Sequence, residues 1–261
     1  MAAHLVEIFD SVQGEGPQVG QPTLFVRFAE CDLRCAWCDT PESWRRVPTC
    51  RVHPRRGGGA PRVIDNPVGL DVIDEYLDEI DPAPGYWASL TGGEPLLQPE
   101  ALTELAAHLK ARGLRTHLET HGLAVEALRA VVAHIDFVSM DWKLASDVRR
   151  VSDRGAGPVP DYHDDHERFL GVLGEPAGAG TDACVKVVLT PASGADEVLE
   201  VARRVARVRP ETLLVLQPVS PTGGVREPID AEAVLAHFDA CRSVLSDVRV
   251  IPQTHKAYGA L

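Results

Sequence analysis

Cys31-Asp32-Leu33-Arg34-Cys35-Ala36-Trp37-Cys38-Asp39-Thr40 places three thiols within eight residues, three residues apart in the first gap and two in the second. At that spacing one short loop can wrap three corners of an iron–sulfur cube, whose irons are normally held by one thiolate each. The fourth iron is then left without a protein ligand. An open iron is a binding position, so a cluster of this kind is a reagent as well as an electron store. S-adenosylmethionine suits it: its amino and carboxylate groups chelate iron while an electron enters the sulfonium. The protein's share of such chemistry is binding, orientation and exclusion of side reactions.

Two plainer readings fit the same cysteines. They suit a zinc ion completed by a histidine or a fourth cysteine, or they are reduced thiols in a packed loop. Zinc loops usually come as Cys-x-x-Cys pairs in two blocks, and the sequence has no second block.

Outward from the loop, the chain of 261 residues is 44% hydrophobic, enough for a substantial core in one domain. Its formal charge is 26 minus 38, or −12, which argues against a nucleic-acid or anionic-membrane surface. Residues 1–10 lack the basic start and apolar run of a signal peptide. No apolar run is long enough to span a bilayer. Six cysteines, three of them clustered, suit a reducing compartment better than a disulfide framework. The expectation is a soluble, cytoplasmic protein.

Residues 5–9 and 23–28 read as strands, joined by the turn Gln13-Gly14-Glu15-Gly16-Pro17. That turn is either a simple hairpin connection or a backbone wall against a planar ligand, since glycine permits close approach. Residues 42–66 lose periodicity and carry Arg45, Arg46, Arg51, Arg55, Arg56 and Arg62 around Gly57-Gly58-Gly59. They read as an irregular insertion: a solvated flap, or a docking patch for an acidic donor such as a flavodoxin. Beyond them helices (68–80, 99–112, 125–133, 164–172, 195–208, 230–245) alternate with strands (86–90, 115–119, 137–140, 183–189, 213–217, 248–251). A second irregular segment covers 146–160. This alternation predicts a single α/β domain with a parallel sheet and right-handed crossovers. Its chemistry belongs at the C-terminal strand ends.

The polar motifs do follow strands. Thr91-Gly92-Gly93-Glu94-Pro95 reads as a turn whose bared backbone grips a ligand's ammonium or carboxylate, or as a plain strand–helix turn. Glu119 ends the next strand as an acceptor for a ribose or pterin, and His121 reads as a loop residue. Ser139, Asp141 and Lys143 end the following strand, and Gln217 a later one. Trp37 offers an aromatic face to an adenine, or packs in the core.

Cys31-x3-Cys35-Ala36-Trp37-Cys38 with Thr91-Gly92-Gly93-Glu94-Pro95 resembles the radical S-adenosylmethionine superfamily. Phe9-Asp10-Ser11-Val12-Gln13-Gly14-Glu15-Gly16, Arg27, Cys38-Asp39-Thr40 and the tail Gln253-Thr254-His255-Lys256 are similar to the 7-carboxy-7-deazaguanine synthases. The resemblance spans nearly the whole chain, apart from 42–66 and 146–160. It implies a partial, partly open β/α barrel, usually a homodimer. The implied reaction is ring contraction of 6-carboxy-5,6,7,8-tetrahydropterin to 7-carboxy-7-deazaguanine with loss of ammonia, on a route to 7-deazapurines such as queuosine. Cys31, Cys35 and Cys38 would hold the [4Fe-4S] cluster. Trp37, Gly93, Glu119, Ser139, Asp141, Lys143 and Gln217 would surround S-adenosylmethionine. Val12, Gln13, Gly14, Arg27, Thr91 and His255 would meet the pterin, with the carboxylate of Leu261 a further candidate. Thr40 would bind Mg2+. The nearest rival is an enzyme that makes a glycyl radical on a partner protein, which needs neither the Gln13–Gly16 wall nor the 253–256 tail. Several features depart from the family pattern: Ser139-Met140-Asp141-Trp142-Lys143 is longer than the usual Ser-Pro-Lys, the last residue is Leu261 where a proline can occur, the arginine insertion has no family counterpart, and Cys50, Cys184 and Cys241 are unmatched, Cys184 and Cys241 reading as core thiols and Cys50 as a stray loop thiol.

Overall fold

The computed structural model describes residues 1–55, 58–153 and 160–259. Its strands are β1 (Leu5–Val12), β2 (Pro22–Phe28), β3 (Leu33–Cys35), β4 (Thr49–Val52), β5 (Arg62–Asp65), β6 (Trp87–Gly92), β7 (Arg115–Thr120), β8 (Phe137–Asp141), β9 (Val148–Arg150), β10 (Asp182–Leu189), β11 (Leu213–Pro218) and β12 (Val248–Val250). Its helices are α1 (Leu70–Ile80), α2 (Pro99–Ala111), α3 (Val125–Val131), α4 (His163–Val172), α5 (Ala195–Val208), α6 (Ala231–Arg242) and α7 (His255–Tyr258). One sheet runs in the order β12-β11-β10-β8-β7-β6-β2-β1-β4-β5. From β2 to β12 every neighbouring pair is parallel, and β1 lies antiparallel to β2. The sheet ends at β12 and at β5, so the barrel is open.

The two faces of this sheet carry different sequences, because successive strand residues point to opposite sides. One face holds Leu24 and Val26, Ala88 and Leu90, Val138 and Met140, Val185 and Val187, and Leu214 and Leu216, in a single core with the helices. Each helix meets it with one stripe. In α1 the stripe is Ile73, Tyr76, Leu77 and Ile80; in α5 it is Val198, Val201, Ala202 and Val205. Burying each such aliphatic side chain stabilises the fold by about 1.5–3 kcal/mol.

The other face is most apolar where the parallel strands begin. There Trp87, Phe137, Cys184, Leu213 and Val215 form a plug. Towards the strand ends the same face carries Thr91, Glu119, Asp141, Lys186 and Gln217. The hollow is thus stoppered at its base and polar at its rim.

The two segments expected to be irregular both contain strands. Within 42–66, β4 pairs parallel with β1 and β5 antiparallel with β4, extending the sheet. Cys50 and Val52 are buried here while Arg51 between them is half-buried on the opposite face, against Glu7. That period of two is short and diluted by arginines, which hid it. Asn66 anchors the hairpin's return: its amide bonds the Leu5 backbone in both directions and the Val47 carbonyl. Arg56 and Gly57 lie outside the described residues. Within 146–160, β9 pairs antiparallel with β3, the cysteine loop itself. Residues 154–159 are also outside the described residues. No helix is long and apolar enough to cross a membrane among the described residues.

Candidate active site

A cleft of about 1200 Å³, counted with its open mouth, occupies the polar end of the hollow. Its walls include Cys31, Cys35, Cys38, Trp37, Thr40, Val12, Gln13, Gly14, Arg27, Thr91, Gly93, Glu119, Asp141, Lys143, Gln217 and His255. Ser139 is not on the wall; it lies lower, buried, its Oγ 2.8 Å from His117 Nε2 and 3.5 Å from Cys184 Sγ. Leu261 falls outside the described residues.

The cysteine loop is held from several sides. Cys35 pairs with Val148 through β3 and β9, and the Ala36 amide donates to the Asp147 carbonyl at 2.9 Å. His121 Nδ1 accepts from the Leu123 amide at 3.2 Å, which leaves Nε2 as the donor to Asp32 Oδ1 at 2.9 Å. His121 is therefore a brace between the β7 end and the loop. Arg34 Nη1 donates to the carbonyls of Cys31 (2.9 Å) and Leu33 (2.6 Å). Its guanidinium lies 4.6 Å from the Trp44 ring centroid, and Trp44 Nε1 donates to Cys38 Sγ at 3.2 Å.

All three thiols are free and half-buried. Burial pushes Cys31 up to about 12 and Cys35 to about 11, so a bound cation must supply the charge that makes thiolates of them. Among the described residues no three Cys, His, Asp or Glu side chains converge on a point as one zinc ion requires. A cube takes each thiolate at its own iron, and three thiols on one wall of a roomy cleft fit it.

The glycine pair after β6 serves close packing. Gly92 has φ 128°, and a Cβ there would sit 2.3 Å from the Phe28 carbonyl oxygen. At Gly93 a Cβ would sit 2.0 Å from the Glu30 carbonyl oxygen. The amides of Gly93 and Glu94 are spent on the carbonyls of Phe28 (2.9 Å) and Glu30 (2.7 Å). These two amides are not free for a ligand, while Thr91, Gly92 and Gly93 still line the cleft. Glu94 is fully buried, accepting from the Leu96 and His121 amides and the Thr120 hydroxyl, and so ties the β6 and β7 ends together.

The longer Ser139–Lys143 spacing has a simple geometry. Ser139, Asp141 and Lys143 alternate with Met140 and Trp142, both buried on the helix side. Period two keeps all three polar residues on one face. Trp142 Nε1 donates to His163 Nδ1 (2.9 Å), and His166 Nε2 accepts the Lys143 amide (2.9 Å). Lys143 Nζ reaches Asp141 at 2.8 Å and lies 5.3 Å from the Trp37 ring centroid.

Asp141 also pairs with Lys186 at 3.1 Å, and Lys186 with Glu15, whose other oxygen accepts from Gln253 Nε2 at 2.6 Å. This buried chain of two carboxylates and two ammoniums ties the Gln13–Gly16 loop and the C-terminal tail to the strand ends. His255 seats against Gly14, where a Cβ would lie 2.1 Å from its Nδ1. Lys256 reaches Asp39 at 3.0 Å. Sequence reasoning missed Lys186, although a lone lysine amid Ala183-Cys184-Val185 and Val187-Val188-Leu189 was a readable signal. It also missed Glu7 and Trp44.

Burial alone would raise the Glu15 carboxyl; the Lys186 ammonium and the Gln253 amide outweigh it and bring it down to about 2. The folded value lies below the ordinary 4.5, so this group's stabilisation is present above pH 4.5 and is lost as pH falls towards 2. Glu15→Gln is expected to cost about 2 kcal/mol at neutral pH, the scale of one charge-assisted bond, because Lys186 keeps Asp141 as its other partner. It is also expected to flatten the acid limb of a thermal-midpoint against pH curve; an unchanged limb would contradict the assignment.

Gln13 folds its amide into its own loop, Oε1 accepting from the amides of Gly14 (2.9 Å) and Glu15 (3.1 Å) while Nε2 donates to Glu119 at 3.1 Å. Gln217 differs: its Oε1 is buried on the cleft wall with no partner among the described residues. An orphaned buried acceptor costs stability until a ligand donor satisfies it.

A family described as a 4Fe-4S single cluster domain matches residues 12–157. A 7-carboxy-7-deazaguanine synthase of Geobacter sulfurreducens is 34% identical over 262 residues, covering 99% of this chain and 98% of that one. One from Methanothermobacter thermautotrophicus is 34% identical over 266 residues, with 99% and 98% covered. In fold, the crystal structure of QueE from Escherichia coli superposes with a TM-score of 0.62 at 18% identity, covering 98% of this chain and 95% of that one.

Proposed function

The chain belongs to the 7-carboxy-7-deazaguanine synthase family of radical S-adenosylmethionine enzymes, and from that premise we propose that it contracts 6-carboxy-5,6,7,8-tetrahydropterin to 7-carboxy-7-deazaguanine with release of ammonia. The observation that carries this reading is the meeting, in one cleft, of three thiols from one loop with Gln13, Arg27 and the tail residue His255. A glycyl-radical activator shares the thiols but has no use for that loop and tail.

When bound, the [4Fe-4S] cluster and S-adenosylmethionine would supply radical hydrogen abstraction from the pterin. Cys31, Cys35 and Cys38 would hold the cluster. Lys143, Asp141 and the orphaned Gln217 oxygen receive the nucleoside's polar groups, Trp37 offers its ring, and Glu119 accepts a hydroxyl. Gly93 lets the turn approach closely, and Ser139 supports this shell from below. Arg27 pairs its fork with the substrate carboxylate, while Val12, Gln13, Gly14, Thr91 and His255 enclose the ring and keep out water. Thr40 gives Mg2+, which prefers oxygen ligands, a hydroxyl on the cleft wall. A flavodoxin-type donor meets the patch of Arg45, Arg46, Arg55 and Arg56, the first three of them exposed and Arg56 outside the described residues, and the enzyme works as a homodimer.

Incubating reduced, reconstituted protein with the carboxypterin tests the reaction: deazaguanine is expected, and its absence while S-adenosylmethionine is cleaved overturns the substrate. Activity indifferent to magnesium removes Thr40's role. Changing Arg45, Arg46, Arg55 and Arg56 to Ser is expected to slow reduction by flavodoxin and spare reduction by dithionite; equal effects on both remove the docking patch. A monomeric mass by light scattering removes the dimer.

Trp44 carries a smaller prediction. A donor on a cluster sulfur stabilises the more negative, reduced state, so potentials rise with such bonds. Trp44→Phe is expected to keep its iron and lower the midpoint potential in a redox titration; an unchanged potential would remove the Trp44–Cys38 bond from the account.

A further inference from the structure

Arg27 does not stand alone. On β2 it lies opposite Glu7 of β1, and Glu7 in turn lies beside Arg51 of β4. Glu7 is 8% exposed and off the cleft wall, yet its carboxylate serves three partners. Arg27 Nε donates to Oε1 at 2.8 Å; Arg51 Nη2 donates to Oε2 at 3.0 Å, and His53 Nε2 lies 3.1 Å from the same oxygen. Arg51 also reaches Glu42 at 3.3 Å. Burial would raise the Glu7 carboxyl, but the neighbouring Arg27 and Arg51 charges hold it below its ordinary value.

The consequence falls on Arg27. Its guanidinium is fixed at the Nε edge by Glu7 and leans on Phe9, 5.7 Å from that ring's centroid. Phe9 is stacked in turn on Phe25, at 4.8 Å and 10°. Among the described residues the two terminal nitrogens of Arg27 make no hydrogen bond, and the side chain lines the cleft. A guanidinium held at one edge and one face presents its remaining edge in a single orientation. That edge matches a carboxylate with two parallel bonds. An arginine free to rotate would have to be ordered by the ligand at the ligand's expense in affinity.

We propose that Glu7, clamped by Arg51 and His53, is the positioning residue that aims Arg27 at the substrate's carboxylate. This rests on the reading of Arg27 given above. It also gives the β4 hairpin a role, because the strand that family resemblance leaves unplaced brings Arg51 and His53 to the one buried carboxylate that orients the fork.

The test is binding, measured by calorimetry on anaerobically reconstituted protein with S-adenosylmethionine. Two ligands are compared: 6-carboxy-5,6,7,8-tetrahydropterin, and 6-methyl-5,6,7,8-tetrahydropterin, which lacks the carboxylate. Glu7→Gln is expected to raise Kd for the first by about tenfold, the scale of ordering one long side chain, and to leave the second within about twofold. Glu7→Asp is expected to recover part of the loss. Should Glu7→Gln fail to fold, Arg51→Ala and His53→Ala, each removing one clamp, are expected to show the same selective loss in smaller measure. If these variants weaken both ligands alike, or neither, while Arg27→Ala selectively loses the carboxylated one, the positioning role is wrong and the Arg27 reading stands. If Arg27→Ala loses no selectivity, the Arg27 reading itself fails and this proposal with it.

Discussion

Replacing Cys35 by alanine is expected to leave the chain folded and to cut cleavage of S-adenosylmethionine by more than about a hundredfold, since loss of an outer partner alone costs ten- to a hundredfold at a metal site. Cys35 sits in the middle of the loop, at the end of β3, where the pairing with β9 fixes the backbone whatever the side chain. The large core belongs to the other face of the sheet and does not include Cys35. The loss should therefore be chemical and not structural: iron retained per chain falls, and the circular dichroism spectrum does not. Cys50, Cys184 and Cys241 provide the contrast. They are buried in β4, β10 and α6 and do not line the cleft. Cys241→Ala is expected to cost stability with iron content unchanged. Equal iron in the Cys35→Ala protein would contradict the ligand assignment.

The second large effect is expected at Arg27. Arg27→Ala should lower kcat/KM for the carboxypterin by about a hundred- to a thousandfold, the equivalent of roughly 3–4 kcal/mol for a desolvated charge pair that loses one member. Glu7 keeps Arg51 and His53 after the substitution, so no carboxylate is stranded and the fold should hold. The cluster lies on another element, and S-adenosylmethionine cleavage without substrate should be unaffected. Steady-state kinetics beside an uncoupled-cleavage assay separates the two. A drop in both would mean that Arg27 supports the cluster loop; a drop in neither would take it out of the site.

Much of this was legible because strand alternation and chemistry coincide. Val138, Met140 and Trp142 are apolar and face the helices, and Ser139, Asp141 and Lys143 between them face the hollow. Even the unusual spacing of that motif resolves once period two is applied. The loop cysteines were legible for another reason: a metal's coordination geometry restricts spacing so strongly that a local pattern carries it. Three things were hidden. The β4–β5 hairpin offers only short strands in a stretch rich in arginine and proline, so its pairing to β1 is a tertiary fact. Glu7 looked like one more polar residue on a strand, because its partners lie 20, 44 and 46 residues away. The glycine pair at Gly92 and Gly93 suggested ligand contact and does line the cleft, but the sequence did not show that it also packs against the backbone of Phe28 and Glu30. Sequence exposes periodicity and local spacing; it does not expose what another strand brings alongside.

The central claim is that three thiolates hold the cluster and one iron stays free for the nucleoside. Electron–nuclear double resonance on the reduced protein, with S-adenosylmethionine isotopically labelled at its amino nitrogen, tests it directly. A hyperfine coupling between that nitrogen and the cluster is the predicted result. No coupling in a protein that has taken up its iron, with a fourth side chain bound in the nucleoside's place, would contradict it.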